Sequence, residues 1–247
     1  MPEKTLSKEY PRFPVGLIGG MSWESSLEYY RIINRLVRDA LGSPHSCPCI
    51  LYSVDFAEYE RLQHRGDWSA LAEKTAEIGR RLEAAGAGML LLCTNTMHRV
   101  ADQVAAAVSV PLLHIAEVTA GAAGRAGIRK TGLLGTRFTM EEEFYRGRLE
   151  KAGLEVIVPD GADRETVHRT IYDELIAGIV SPDSRRRLAG VIRRLGERGA
   201  EGIILGCTEL PLLIRPEDSP LPLFDTTDIH ARAAVAAGLE TLDPAGQ

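Results

Sequence analysis

Cysteine is scarce: four in 247 residues cannot form the disulfide framework of a small secreted scaffold. Long apolar runs are missing too. None approaches the roughly 18–20 residues that cross a bilayer, so no membrane partner is expected. Met1 to Pro11 is polar and charged, without the apolar core of a secretory leader, and a cytoplasmic location is expected. Nor does positive charge dominate. The net charge is −5 and the pI about 5.8, which argues against a nucleic-acid partner. The densest basic stretch, Arg185–Arg187 with Arg193 and Arg194, falls in a helical pattern and reads as a solvated face. Gly19-Gly20 lacks the GxGxxG spacing of a dinucleotide turn. Cys47-Pro-Cys49 lacks a matching Cys/His pair at zinc spacing, so no metal is expected there and the segment leads into a strand.

What is present is ordinary for a globular enzyme, with 45% hydrophobic and 26% charged residues. Short apolar runs read as buried strands: 15–18, 50–54, 89–92, 111–115, 131–134, 154–158, 202–205 and 221–224. Amphipathic helical patterns lie between and after them, over 25–41, 68–85, 97–107, 117–126, 140–152, 165–179, 182–198 and 228–239. Continuous apolar strands flanked by helices indicate α/β architecture with parallel sheets covered on both faces.

The order repeats. Gly16-Leu-Ile-Gly-Gly20 recurs as Gly132-Leu-Leu-Gly-Thr136. Gly88-Met-Leu-Leu-Leu-Cys-Thr94 recurs as Gly202-Ile-Ile-Leu-Gly-Cys-Thr208, and Pro111-Leu-Leu-His-Ile115 as Pro222-Leu-Phe-Asp-Thr226. Three landmarks in one order imply two pseudo-symmetric α/β halves, 13–120 and 121–227. Residues 1–12 are expected as a flexible segment, and 228–247 as a terminal helix packing back on the first half. Ligands of parallel sheets bind beyond the carboxyl ends of the strands. Cys93-Thr94 and Cys207-Thr208 both lie there, so an active site is expected in the cleft between the halves.

In Gly206-Cys-Thr-Glu209 the cysteine follows a buried strand. Backbone amides at the turn are expected to favour its thiolate and make it a usable base. In Leu92-Cys-Thr-Asn-Thr-Met-His98, two hydroxyls, an amide and an imidazole crowd one strand end. Asn95 and Thr96 could cap the next helix or hold a substrate carboxylate. His98 is read as orienting its neighbours. His45 and His114 show no evident partner, and His230 reads as part of the last helix start.

Leu91-Leu-Cys-Thr-Asn-Thr-Met-His98 and Ile203-Ile-Leu-Gly-Cys-Thr-Glu-Leu-Pro211 resemble the two signature motifs of the aspartate/glutamate racemases, which work without pyridoxal phosphate. Gly16-Leu-Ile-Gly-Gly-Met-Ser-Trp-Glu-Ser25 with Tyr29-Tyr30 and Asn34 resembles the opening of the same family. Within it, the Cys-Thr-Asn-Thr-Met-His form is most similar to the bacterial broad-specificity amino-acid racemases, the YgeA-like group. The resemblance implies a cofactor-free, two-base inversion of an amino-acid α-carbon and a homodimer. It makes Cys207 one acid/base. Anchoring on Asn95-Thr96 puts Thr94 in the opposing role; the internal repeat pairs Cys93 with Cys207 instead. One residue in an extended segment changes the face, and the Asn-Thr anchor is preferred, which leaves Cys93 buried. Met21, Ser22, Gln63, Asn95, Thr96, Thr136, Thr208 and Glu209 are the implied substrate contacts, with Arg65 as a charge partner; Arg61 and Arg65 are otherwise plain surface. Some relatives hold a second carboxylate with a lysine in the segment matching 164–172; only His168 and Arg169 stand near there. Other enzymes of the superfamily (hydantoin racemase, maleate isomerase, arylmalonate decarboxylase) and a non-catalytic amino-acid-binding protein are the alternatives.

Overall fold

The computed structural model describes residues 14–240. The flexible segment expected over 1–12 and the end of the chain beyond 240 lie outside the described residues. By packing, 14–93, 100–113 and 230–240 form one unit, and 94–99 with 114–229 form another.

The first unit holds β1 (Val15–Gly19), α1 (Trp23–Leu41), β2 (Cys49–Ser53), α2 (Phe56–Arg65), α3 (Trp68–Ala84), β3 (Met89–Leu92), α4 (Ala101–Ala106) and β4 (Leu112–Leu113). Its parallel sheet runs β2-β1-β3-β4. β1 and β3 are buried at every position, whereas the edge strand β2 is part-exposed, as expected of sheets whose two faces are both covered.

The second unit holds α5 (Ile115–Arg125), β5 (Lys130–Gly135), α6 (Arg137–Glu141), α7 (Glu143–Lys151), β6 (Glu155–Ile157), α8 (Gly161–Arg169), α9 (Pro182–Glu197), β7 (Gly202–Gly206), α10 (Leu210–Leu213) and β8 (Leu223–Asp225). Its parallel sheet repeats the order, β6-β5-β7-β8. Strand alternation divides its core. Leu134, Ile203 and Leu205 pack on one face with Val167, Leu188 and Leu213, and Leu133 and Ile204 pack on the other with Ile115, Ala120 and Leu149. Each such leucine or isoleucine contributes about 1.5–3 kcal/mol by leaving water. The last helix, α11 (Thr226–Glu240), starts after β8, and its residues from His230 group with the first unit, where Ala231 and Ala234 join Val15, Leu17, Tyr29 and Leu91 in the core.

All eight strand runs form strands; the helices depart in five places, one of them the short α10, which no helical pattern announced. α2, not among the expected helices, turns Tyr59 and Gln63 inward and forms between Asp55, whose carboxylate accepts from Ala57 N at 3.1 Å, and a left-handed Gly66. The pattern over 140–152 breaks at Glu142, which is extended and accepts from Arg99 Nη1 at 2.6 Å. The pattern over 165–179 starts early, at the Asp160 cap, and widens to a π-helical turn over Thr170–Leu175. That over 97–107 opens as a 3₁₀ turn, Thr96–Val100, before α4.

Candidate active site

The two central strands of the second sheet end side by side, with Gly135 opposite Gly206. Neither position has room for a Cβ. One built on Gly135 would lie 2.8 Å from Gly206 O, and one on Gly206 2.9 Å from Leu134 O. This close approach places the next residues, Thr136 and Cys207, at the carboxyl end of the sheet, where ligands of parallel sheets bind.

Cys207 and Glu209 are both buried. Cys207 Sγ donates to Glu209 Oε2 at 2.9 Å, and Thr208 Oγ1 donates to the same oxygen at 2.8 Å. Burial and the Glu209 carboxylate push the Cys207 thiol well above its ordinary pKa, while the Glu209 and Thr208 amides pull weakly the other way. The expected thiolate is therefore corrected. The amides are present, but desolvation and the facing Glu209 side chain outweigh them.

The segment 94–99 reaches the same sheet end within the second unit. Asn95 Nδ2 donates to Thr226 Oγ1 at 3.1 Å, and Thr226 Oγ1 donates to Leu205 O at 2.9 Å, in the strand that carries Cys207. Thr96 Oγ1 lies 3.3 Å from Thr136 Oγ1, which caps α6 and meets Thr139 Oγ1 at 3.2 Å. His98 Nδ1 lies 2.8 Å from Thr94 O, and Ile115 N donates to His98 Nε2 at 3.1 Å. A carbonyl only accepts and an amide only donates, so His98 is the neutral tautomer with its proton on Nδ1. It staples Thr94 to the start of α5. Thr94 is 7% exposed; among the described residues its hydroxyl has no hydrogen-bond partner. Thr94, Asn95, Thr96, Thr136, Cys207, Thr208 and Glu209 thus all belong to the second unit.

A family model, Asp/Glu/Hydantoin racemase, matches residues 18–234. The chain belongs to the Asp/Glu/Hydantoin racemase family. It is 25% identical over 238 residues to the broad-specificity amino-acid racemase RacX of Bacillus subtilis (strain 168), covering 91% of this chain and 98% of that one. A candidate Asp/Glu racemase from Yersinia pestis superposes with a TM-score of 0.87 at 54% identity, covering 92% of this chain and 99% of the other. An aspartate racemase homologue from Pyrococcus horikoshii OT3 does so with a TM-score of 0.80 at 34% identity, covering 91% and 98%. The protein is thus an isomerase of the amino-acid racemase type.

In this racemase Met21, Ser22 and Gln63 belong to the first unit. Met21 and Ser22 are buried at the end of β1. Gly20 there has φ +91°, and a Cβ on it would strike the Val54 backbone, so the turn needs glycine. Ser22 caps α1, accepting from Ser25 N at 3.4 Å. Gln63 is buried on α2 beside Tyr59, whereas Arg61 and Arg65 are exposed, the plain-surface reading. Cys93 donates its amide to Ile18 O at 2.9 Å, and its thiol sits in the apolar core with Leu17, Tyr29 and Leu91. A surface cleft of about 530 Å³ between α2 and α3 is lined by Tyr52, Tyr59, Lys74 and Arg81; it contains none of the expected site residues.

Three histidines are better placed than the sequence suggested. His114 caps α5, accepting from Ala116 N at 3.2 Å, and stacks edge-on with His98 at 4.6 Å, so its apparent lack of partners is corrected. Its signal was its place just before an apolar helical stretch. His230 is fully buried in the first unit between Tyr29 Oη, at 2.8 Å, and Leu113 O, at 2.9 Å. His168 accepts from Arg137 N at 3.3 Å and packs on Tyr172; burial and the nearby Arg137 lower its pKa. Arg169 is a surface partner of Asp173. Thr226, the hub of the Asn95 network, was legible only as the end of a repeated segment: a threonine at a helix start carries no signal of what it meets 131 residues away.

Proposed function

We propose that the protein inverts the α-carbon of aspartate, glutamate or a broader set of amino acids without a cofactor, with Cys207 handling the proton on one face and Thr94 on the other. The observation that carries this reading is the 2.9 Å contact between Cys207 Sγ and the buried Glu209 carboxylate. A buried thiol held above its ordinary pKa is a proton donor at rest. With the carboxylate as acceptor it is also a latent base: the thiol proton passes to Glu209, and the thiolate then takes the α-proton. Thr94 delivers a proton to the opposite face and regains one through water, while Glu209 returns its own to solvent. A hydroxyl is a poor base, so turnover is slow. Cys93 is set aside because, among the described residues, its thiol has no carboxylate beside it of the kind that Glu209 provides for Cys207.

The test is α-proton exchange in deuterium oxide with both enantiomers of aspartate and glutamate and a panel of neutral amino acids. Exchange in the wild type that disappears in Cys207→Ala is the expected result. Absence of exchange with every amino acid overturns the reading in favour of hydantoin racemase, maleate isomerase, arylmalonate decarboxylase or amino-acid-binding activity.

A second copy of the chain is the proposed protein partner. Trp23, Leu27 and Tyr30 form an exposed stripe along α1, at 63%, 56% and 48%, the spacing of one helical face and an apolar patch of the kind that marks interfaces. Sedimentation of wild type and Trp23→Glu/Leu27→Glu is expected to show a dimer and a monomer; a monomeric wild type overturns the proposal.

A further inference from the structure

The Asn95 amide has two ends, and its surroundings decide which one is offered to a ligand. Thr226 is fully buried at the start of α11, immediately after β8. Its hydroxyl has one proton, and that proton goes to Leu205 O at 2.9 Å, a carbonyl that can only accept. What remains on Thr226 Oγ1 is acceptor capacity. Asn95, 3.1 Å away, must therefore present its NH₂ group there. The flipped amide would set oxygen against oxygen with no proton between them. The opposite end, Asn95 Oδ1, is buried and has no hydrogen-bond partner among the described residues. A buried acceptor left unpaired is costly, and this one sits on the segment that carries Thr94 and Thr96.

We propose that Thr226 is a positioning residue that locks the Asn95 amide with its oxygen free, so that Asn95 selects ligands bearing an ammonium group. This rests on the racemase reading of the same site. It also revises the expectation that Asn95 holds a carboxylate: Oδ1 repels a carboxylate and accepts from an ammonium. Thr96 and the backbone amides stay available for the carboxylate.

The experiment compares matched pairs of ligands that differ only in the amino group: L-aspartate with succinate, L-glutamate with glutarate, and L-alanine with propionate. Binding is measured by calorimetry and, where exchange occurs, KM and kcat are separated. Thr226→Val keeps the shape but removes both hydrogen bonds and lets the amide turn. It is expected to weaken the amino acid about 10- to 100-fold, as loss of a charged hydrogen bond does, and to leave the des-amino partner within about twofold. Thr226→Ser is expected to restore the wild-type ratio. Equal weakening of both members of a pair, or no change for the amino acid, overturns the proposal. Should Thr226→Val not fold, Asn95→Leu and Asn95→Asp decide: the first is expected to erase the preference for the ammonium ligand and the second to keep it, and a preference surviving Asn95→Leu overturns the proposal. Failure of the racemase reading would show separately, as wild-type protein that binds ammonium ligands selectively yet exchanges no α-proton.

Discussion

Cys93 and Cys207 stand at matching points of the two units. Each follows a buried apolar strand and precedes a threonine, and burial raises the thiol pKa of both. Their chemistry nevertheless differs. Around Cys93 the structure packs Val15, Leu17, Tyr29 and Leu91. Beside Cys207 stands a carboxylate at 2.9 Å. The divergence lies two residues on, where the first copy has Asn95 and the second Glu209. A raised thiol pKa is therefore common to both; the adjacent carboxylate is what distinguishes Cys207. Cys207 also packs in an apolar core, with Leu134, Leu205 and Leu210, so the carboxylate beside it is what separates the two cysteines.

The largest expected difference between the two cysteines is in turnover. Cys207→Ala should lower α-proton exchange by about 10²- to 10⁴-fold, the usual contribution of one general acid/base, and Cys93→Ala should leave it within about twofold of wild type. A Cys93→Ala enzyme as dead as Cys207→Ala would reverse the assignment. Next in size is Thr94→Ala. Chiral chromatography beside deuterium incorporation should show racemisation falling about 10²-fold while wash-in at the Cys207 face persists for one enantiomer; parallel losses in both would remove Thr94 from its role.

Glu209→Gln probes the carboxylate itself. It removes a negative charge that disfavours the thiolate and the hydrogen bond that holds the thiol proton. The thiolate should then form at lower pH, and the pH profile of Cys207 alkylation by iodoacetamide, followed by mass spectrometry, should move down. Cys93 should stay unmodified in the native protein throughout. An unmoved profile would show that burial alone sets the Cys207 thiol. The smallest effect is on stability. Cys93→Ala empties the space of one sulfur in a closed core and should cost about 1 kcal/mol in urea unfolding.

Much of this was legible in the chain. The eight apolar runs, the repeated Gly-Leu-Ile-Gly and Cys-Thr segments and the Cys-Thr-Glu sequence yield two like parallel sheets and a cysteine at a strand exit, because strand burial and turn chemistry are local properties that composition and period express directly. α2 was missed because it is short and mostly polar, with only Phe56, Tyr59 and Leu62 as large apolar residues on it. Other features are set by distant partners. Which unit the segment 94–99 joins, which way the Asn95 amide faces and whether Cys207 rests as thiol or thiolate depend on Thr226, Thr136, Leu205 and the burial of Glu209. Hydrogen bonds across the sheet end and the desolvation of a charge exist only once the chain has packed, so these features of the site were decided by the tertiary structure alone.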